Sequence, residues 1–299
     1  MKQAGVVGLG DMGSGLAKNL IAAGFTVRGF DLSERRLADF VALGGTAASS
    51  AAKTGVGSDV VFVMVMNGDQ AKEVILGSSG AAGLVSTMAP GSAVLLTATI
   101  KATEAREIAA AMQGTGIHLV DSPVSGGFPG AQGGTLTLMA AGSDAALEKA
   151  GPAMAAVGKT IHRVGDEVGM GQTVKACLQS LIGSIFSATF EASALAAKAG
   201  VSGEVLYQVF STSGAGCGVA NTALENIIDR KFEGTGSHIN TMYKDLTIAM
   251  DLARELGVPL FTAATAMQLF QAGKTRYPDG DNWVVTRVVE EIVGAGLKR

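Results

Sequence analysis

The chain has 299 residues, 47% hydrophobic and 16% charged, which is enough apolar material for two ordinary domains with their own cores. Its formal charge is −3. It has no basic patch and no polybasic or lipidation signal, so nucleic acid and membrane surfaces are poor partner candidates. Aromatics at 5% argue against base-stacking platforms.

The opening MKQAGVVGLG turns glycine-rich at once and reads as neither signal peptide nor anchor. The longest purely apolar run, Val60 to Met66, is far too short to span a bilayer and suits a buried strand. The two cysteines, Cys177 and Cys217, and three scattered histidines lack metal-ligand spacing, so no metal site is expected. A reduced, cytoplasmic protein is the expectation.

In chain order, QAGVVGLG reads as a strand, SGLAKNLIAAG as a helix ending at Gly24, and FTVRGFD as the next strand. SERRLADFVALGG opens on a capping Ser33 and stops at Gly44-Gly45. DVVFVMV, SAVLLTA and IHLVDSP are further strands with helical segments between them, a βαβα rhythm that predicts a mainly parallel sheet covered on both faces. GTLTLMAAG and TIHRVG look like extra strands flanking the helix DAALEKAGPAMAAVG. After Gly165 the rhythm changes. Helical patterns follow at 169–199, SGEVLYQVFSTSG, HINTMYKDLTIAMDLARELG and LFTAATAMQLFQAG, with no convincing strand. The expected organisation is a doubly wound α/β Rossmann domain over residues 1–166 and an all-α domain over 167–299, joined by a long helix.

Gly8-x-Gly10-x-x-Gly13 stands directly after the first strand and opens a helix. The glycines alone fit an ordinary tight turn as well as a ligand site. Their context favours dinucleotide binding: Gly8 permits the turn, Gly10 lets backbone approach a pyrophosphate, and Gly13 lets the helix pack on the strand. The helix N-terminus adds free N–H groups and a partial positive charge. Asp31 ends the second strand, where an acid accepts from the adenosine ribose hydroxyls and repels a 2′-phosphate. Arg35 and Arg36 come only a helical turn later, so NAD is expected over NADP. A helix cap or surface acid is the alternative for Asp31.

DSPVSGGFPGAQGGTL follows the fifth parallel strand, outside its carboxyl end, where ligands bind in open α/β sheets. Ser122, Ser125 and the N–H groups of Gly126 and Gly127 suit a small carboxylate. An ordinary Gly/Pro turn is the bland alternative.

Four motifs, GLGDMGSGLAKNL, DSPVSGG, GMGQTVK and KDLTIA, occur in this order. With them the whole chain resembles the β-hydroxyacid dehydrogenase family, which includes 3-hydroxyisobutyrate dehydrogenase. The resemblance implies a Rossmann domain, a helical domain, oxidation of small hydroxy acids with NAD or NADP, and a homodimer or homotetramer. It implies Lys175 as the catalytic lysine and Ser125, Gly126 and Gly127 as the substrate-carboxylate loop. Cofactor contacts implied are Gly8, Leu9, Gly10, Asp11, Met12, Gly13, Asp31, Met66, Thr99 and Lys244. Two departures touch the substrate side. Gln179 stands where the family often has asparagine, and the C-terminal stretch reads YPDGDNWVVTRVVEE. Gln179 and EASALAAKAG resemble the L-threonate dehydrogenase branch, so a polyhydroxylated four-carbon acid such as L-threonate is the expected substrate. The alternative is 3-hydroxyisobutyrate or another 3-hydroxy acid or semialdehyde.

Lys175 itself lies on an apolar helix, and lysines are rarely buried without a partner or a purpose. Snorkelling to the surface is the alternative. Hydride transfer needs the alcohol proton removed, and a lysine serves if burial and the nearby helix start lower its pKa from about 10.4. Gln179 at i+4 shares its face, which suggests a cleft between the domains, and offers a substrate hydroxyl either end of its amide. Cys177 is expected to pack in the core and His118 to be structural. Asp245 is read as orienting Lys175 or joining a charge pair. His238 reads as a capping or surface residue, and Trp283 as a pocket lid or core filler. An imine reductase would lack the lysine, and a 6-phosphogluconate dehydrogenase-like decarboxylase would be longer and more basic. A non-catalytic nucleotide-binding reader would show a degraded glycine turn.

Overall fold

A computed structural model describes residues 2–299. The chain forms two compact units, Met1–Lys175 and Ala176–Arg299.

In the first unit, β1 (Gln3–Val7) leads into α1 (Asp11–Ala22), and β2 (Thr26–Phe30) into α2 (Glu34–Ala42) and a short β3 (Thr46–Ala47). Next come β4 (Val60–Val63), α3 (Gly68–Leu76), the small hairpin β5 (Gly77–Ser78) and β6 (Ala81–Ala82), β7 (Ala93–Leu96), α4 (Ala102–Ala111) and β8 (His118–Asp121). The unit continues with β9 (Val124–Ser125), α5 (Gly127–Gly133), β10 (Leu136–Ala141), α6 (Asp144–Val157) and β11 (Gly158–Gly165). The main sheet runs β11-β10-β8-β7-β4-β1-β2-β3, with β9 paired to β10. From β8 to β3 every pairing is parallel, while β10 runs antiparallel to β8 and β9.

The continuous apolar strands have a simple cause: both faces of this sheet are covered. Phe62 and Leu95 pack with α1 residues Leu16 and Leu20 on one face. Their neighbours Val61, Val63 and Leu96 pack with Ile75 and Ile108 on the other. The one-residue alternation of the strand thus feeds two cores.

Three details depart from the sequence reading. The edge strand β3 and the β5–β6 hairpin, each strand only two residues long, carry too little pattern to read. β3 also makes β8 the sixth, not the fifth, strand of the parallel set. The stretch after Pro123, expected as a loop, folds into β9 and α5, and α5 ends at Gly134 in the left-handed conformation.

A single helix, α7 (Met170–Lys198), runs from the first unit into the second. The second unit adds α8 (Gly203–Thr212), α9 (Gly218–Ile228), α10 (Ile239–Leu256), α11 (Phe261–Arg276) and α12 (Thr286–Val293). Among the described residues it has no strand, only one bridge between His238 and Asp281. By length and composition α7 passes for a membrane span. Its aromatics, however, form the core of the second unit: Phe186 stacks on Phe190 at 6.1 Å and meets Trp283 edge-on at 5.5 Å. The helices α9 and α12 are absent from the sequence reading. In α9 the buried Ala220, Ala223, Leu224, Ile227 and Ile228 keep helical spacing, a signal legible in the sequence.

Candidate active site and nucleotide-binding turn

The turn between β1 and α1 is built for close backbone approach. Gly8 has φ +88°, and a Cβ there would strike the Met64 carbonyl oxygen; one on Gly13 would strike the carbonyl oxygen of Gly8. Gly10 differs: a Cβ there meets nothing nearer than the Arg36 guanidinium, at 3.8 Å. The tight glycines shape the turn, and Gly10 leaves the open approach that a pyrophosphate needs. Asp31 holds the turn in place. Its Oδ2 accepts from Leu9 N at 2.8 Å, and its Oδ1 accepts from Ser33 N at 2.9 Å. Arg36 reaches back to Asp31 at 3.7 Å. The sequence reading set this arginine aside as a turn too late, but the first turn of α2 brings it beside both Asp31 and Gly10. Asp11 and Met12 open α1, and Met66 is exposed just beyond β4.

At the carboxyl ends of β7 and β8 lies a buried network that the motifs alone did not disclose. Asp121, wholly buried, accepts from Gly169 N at 2.8 Å, Gln172 N at 3.2 Å and Gln172 Nε2 at 2.8 Å. It caps the start of α7. Burial pushes the Asp121 carboxyl above the usual carboxylate range, and the hydrogen bonds from Gln172 and Gly169 oppose that. The Gln172 amide also donates to Ala98 O at 3.0 Å and accepts from Ile100 N at 3.0 Å. It thereby grips the backbone on both sides of Thr99. Gly171 must be small here, because a Cβ would meet Met139 O at 2.6 Å and Asp121 O at 2.7 Å.

One turn beyond Gln172, Lys175 is buried at 7% exposure and its Nζ donates to Val124 O at 2.8 Å. Val124 directly precedes Ser125, Gly126 and Gly127. Both glycines are exposed, with φ of +129° and +59°. The lysine therefore does not snorkel; it turns inward to the strand that opens this turn.

In the second unit, Gln179 is buried and its Nε2 donates to Asp245 Oδ2 at 2.6 Å, with Met242 Sδ at 3.7 Å. Lys244 Nζ lies 3.0 Å from the other oxygen of Asp245. Asp245 thus orients Gln179 and joins a charge pair with Lys244.

Residues 3–165 match the family described as the NAD binding domain of 6-phosphogluconate dehydrogenase. Residues 169–289 match the family described as NAD-binding of NADP-dependent 3-hydroxyisobutyrate dehydrogenase. An L-threonate dehydrogenase of Escherichia coli is 36% identical over 296 residues, covering 98% of this chain and 97% of the relative. The chain belongs to the β-hydroxyacid dehydrogenase family. It is an NAD(P)-dependent oxidoreductase of the 3-hydroxyisobutyrate dehydrogenase-like type. An NAD-dependent L-serine dehydrogenase of Pseudomonas aeruginosa is 34% identical, covering 98% of this chain and all of the relative. The crystal structure of a 3-hydroxyisobutyrate dehydrogenase from Salmonella typhimurium superposes with TM-score 0.88 at 33% identity, over 96% of this chain and 100% of that one.

Within this β-hydroxyacid dehydrogenase the remaining candidates sort out as follows. Ser122 is wholly buried and its Oγ has no hydrogen-bond partner among the described residues. Cys177, expected in the core, is exposed, because its position on α7 points opposite to the buried Gln179 face. Trp283 is core filler: it is buried against Phe186, and its Nε1 donates to Thr235 Oγ1 at 3.0 Å. His238 precedes α10 without a side-chain cap and lies 3.5 Å from Asp281. His118 lines a cavity of about 500 Å³ with Lys2, Phe25, Asp59 and Lys149. That cavity sits at the amino ends of the strands, the wrong end for a dinucleotide in this fold. No metal-binding cluster occurs among the described residues.

Proposed function

We propose that this protein oxidises a small polyhydroxylated acid with NAD, with Lys175 as the general acid and base. The observation that carries the reading is the 2.8 Å bond from Lys175 Nζ to Val124 O, which sets a buried lysine beside the Ser125–Gly127 turn. In this reading the turn takes the substrate carboxylate through the N–H groups of Gly126 and Gly127 and the Ser125 hydroxyl. Ser122, whose buried hydroxyl has no partner among the described residues, is the further candidate for the substrate carboxylate. Gln179, one helical turn after Lys175 on α7, contacts a substrate hydroxyl.

NAD, when bound, supplies the hydride acceptor. The residues of the chain do the rest. The turn Gly8–Gly13 and Asp31 hold the dinucleotide, with Leu9, Asp11, Met12 and Met66 along it and Thr99 and Lys244 contributing contacts. Lys175, as the neutral amine, would take the proton of the alcohol oxygen on Nζ as the hydride leaves the carbon that bears this oxygen; in reduction it would return the proton to that oxygen. NAD is favoured over NADP in this reading because a carboxylate at the end of β2, Asp31, would repel a 2′-phosphate.

L-threonate is the proposed substrate, supported by Gln179 in place of the asparagine common in the family. 3-Hydroxyisobutyrate, the acid named for the Salmonella structure, is the second reading. The deciding experiment assays L-threonate, L-serine and 3-hydroxyisobutyrate with NAD and NADP. Highest kcat/KM for L-threonate with NAD supports the reading; turnover of none of the acids refutes it.

The protein is also proposed to be cytoplasmic and to form a homodimer or homotetramer. Exposed Cys177, Leu181, Ala188 and Leu195 mark one stripe of α7, with Leu181 at 58% and Leu195 at 72%. The steps between them are four, seven and seven residues, the heptad spacing of helix pairing. Light scattering on wild type and Leu181→Arg tests it: the variant should lose mass, and a monomeric wild type contradicts it.

A further inference from the structure

The amide of Gln179 has a fixed direction. Its nitrogen is 2.6 Å from Asp245 Oδ2, and a carboxylate offers acceptors only. The Lys244 ammonium lies 3.0 Å from the other oxygen, a charge contact without hydrogen-bond geometry. The reverse orientation would set a carbonyl oxygen against a carboxylate oxygen. Nitrogen must therefore face Asp245 and Met242, leaving the carbonyl oxygen Oε1 as the group that Gln179 offers elsewhere. The expectation that either end of this amide could serve is too broad.

We propose that Asp245 is a positioning residue that makes Gln179 a pure hydrogen-bond acceptor toward the substrate. Such an acceptor selects acids bearing a hydroxyl or ammonium donor on the carbon next to the one oxidised. The inference rests on the reading that Gln179 contacts substrate. The chemistry divides the family's acids cleanly. Every carbon next to a reacting alcohol carbon in L-threonate carries a hydroxyl or the carboxylate. The neighbouring carbon of L-serine carries an ammonium. In 3-hydroxyisobutyrate that carbon carries a methyl, which leaves a buried acceptor without a donor. A site built to bond a donor rejects the analogue that lacks it more strongly than a hydrophobic pocket rejects an added hydroxyl.

The test is the ratio of kcat/KM for L-threonate or L-serine, whichever is better, to that for 3-hydroxyisobutyrate. Wild type should give a ratio of at least about tenfold. Asp245→Asn is nearly isosteric but lets the Gln179 amide turn round, and Gln179→Met removes its polar end. Both should bring the ratio down to within about threefold of unity, with the loss mainly in KM for the donor-bearing acid. The double variant Gln179→Glu with Asp245→Asn exchanges the partners: the asparagine amide donates to one glutamate oxygen and the other stays an acceptor. It should restore the preference, which a merely structural role for Asp245 would not do.

A wild type that prefers 3-hydroxyisobutyrate overturns the proposal. So does an unchanged ratio in Asp245→Asn, or in Gln179→Met should the first variant fail to fold. A wild type active on the acids with an unchanged variant ratio defeats this inference alone. A wild type active on none of them defeats the functional reading and this inference with it.

Discussion

Lys175 and Val124, 51 residues apart, are joined by a 2.8 Å hydrogen bond from Nζ to the carbonyl oxygen. The bond uses one N–H, which the lysine keeps as ammonium and as neutral amine alike. A proton can therefore arrive or leave on Nζ without releasing the side chain from its anchor. The anchor also ties α7 to β9, the strand that opens the Ser125–Gly127 turn.

The cofactor preference should sit on Asp31. It faces the turn with one oxygen on Leu9 N and the other on Ser33 N, and Arg36 lies 3.7 Å away. Asp31→Ser removes the charge that opposes a 2′-phosphate and leaves Arg36 to attract one. The ratio of kcat/KM for NAD over NADP should fall by about tenfold or more. Equal or better use of NADP by wild type would contradict this.

The turn at Gly126 is the second target. Its φ of +129° is open to glycine, and a Cβ would also meet the Leu136 side chain at 3.2 Å. Gly126→Val should raise KM for the acid or abolish turnover, while NADH binding followed by fluorescence stays near wild type. Unchanged acid kinetics would remove this turn from the site.

Asp121 gives a pH signature. Its carboxyl is raised above its ordinary value by burial. A group raised in the folded state binds its proton more readily when folded. Its burial therefore penalises folding fully above the folded pKa, and the penalty is relieved as pH falls toward the unfolded value of about 3.9. Asp121→Asn lacks this slope. It also sets an NH₂ against donors from Gln172 or Gly169, a loss of about 1–3 kcal/mol at neutral pH. Urea midpoints across that window should show wild type gaining on the variant as pH falls; a flat difference would contradict the account.

The parallel sheet, the glycine turn and Lys175 were legible because each has a local signature. Val60–Val63 is a continuous apolar run, Gly8, Gly10 and Gly13 keep their spacing after a strand, and a lysine interrupts an apolar helix. What the sequence hid was set by contacts between distant segments. Nothing near Gln172 announces that its amide grips Ala98 and Ile100, more than seventy residues earlier. Arg36 looks too late to reach Asp31 until the first turn of α2 brings it back. Of the two readings of Asp245, the charge pair is the one present, with Lys244, while the side chain it orients is Gln179 and not Lys175. The helix phase turns Cys177 away from Lys175, but it does not say that the opposite face of α7 is exposed and not packed in the core.

The most direct test of the account is the pH dependence of turnover with Lys175 removed. Lys175→Ala should lower kcat by about 10²–10⁴-fold on the best acid. NADH binding should barely change, because the glycine turn holds the dinucleotide. Lys175→Arg should not rescue, since a guanidinium does not give up its proton near neutral pH. Wild-type oxidation should rise with pH through one ionisation that both variants lose. A Lys175→Ala enzyme that keeps near wild-type kcat and the same pH profile would show that the lysine only supports Val124, and the proposed chemistry would be wrong.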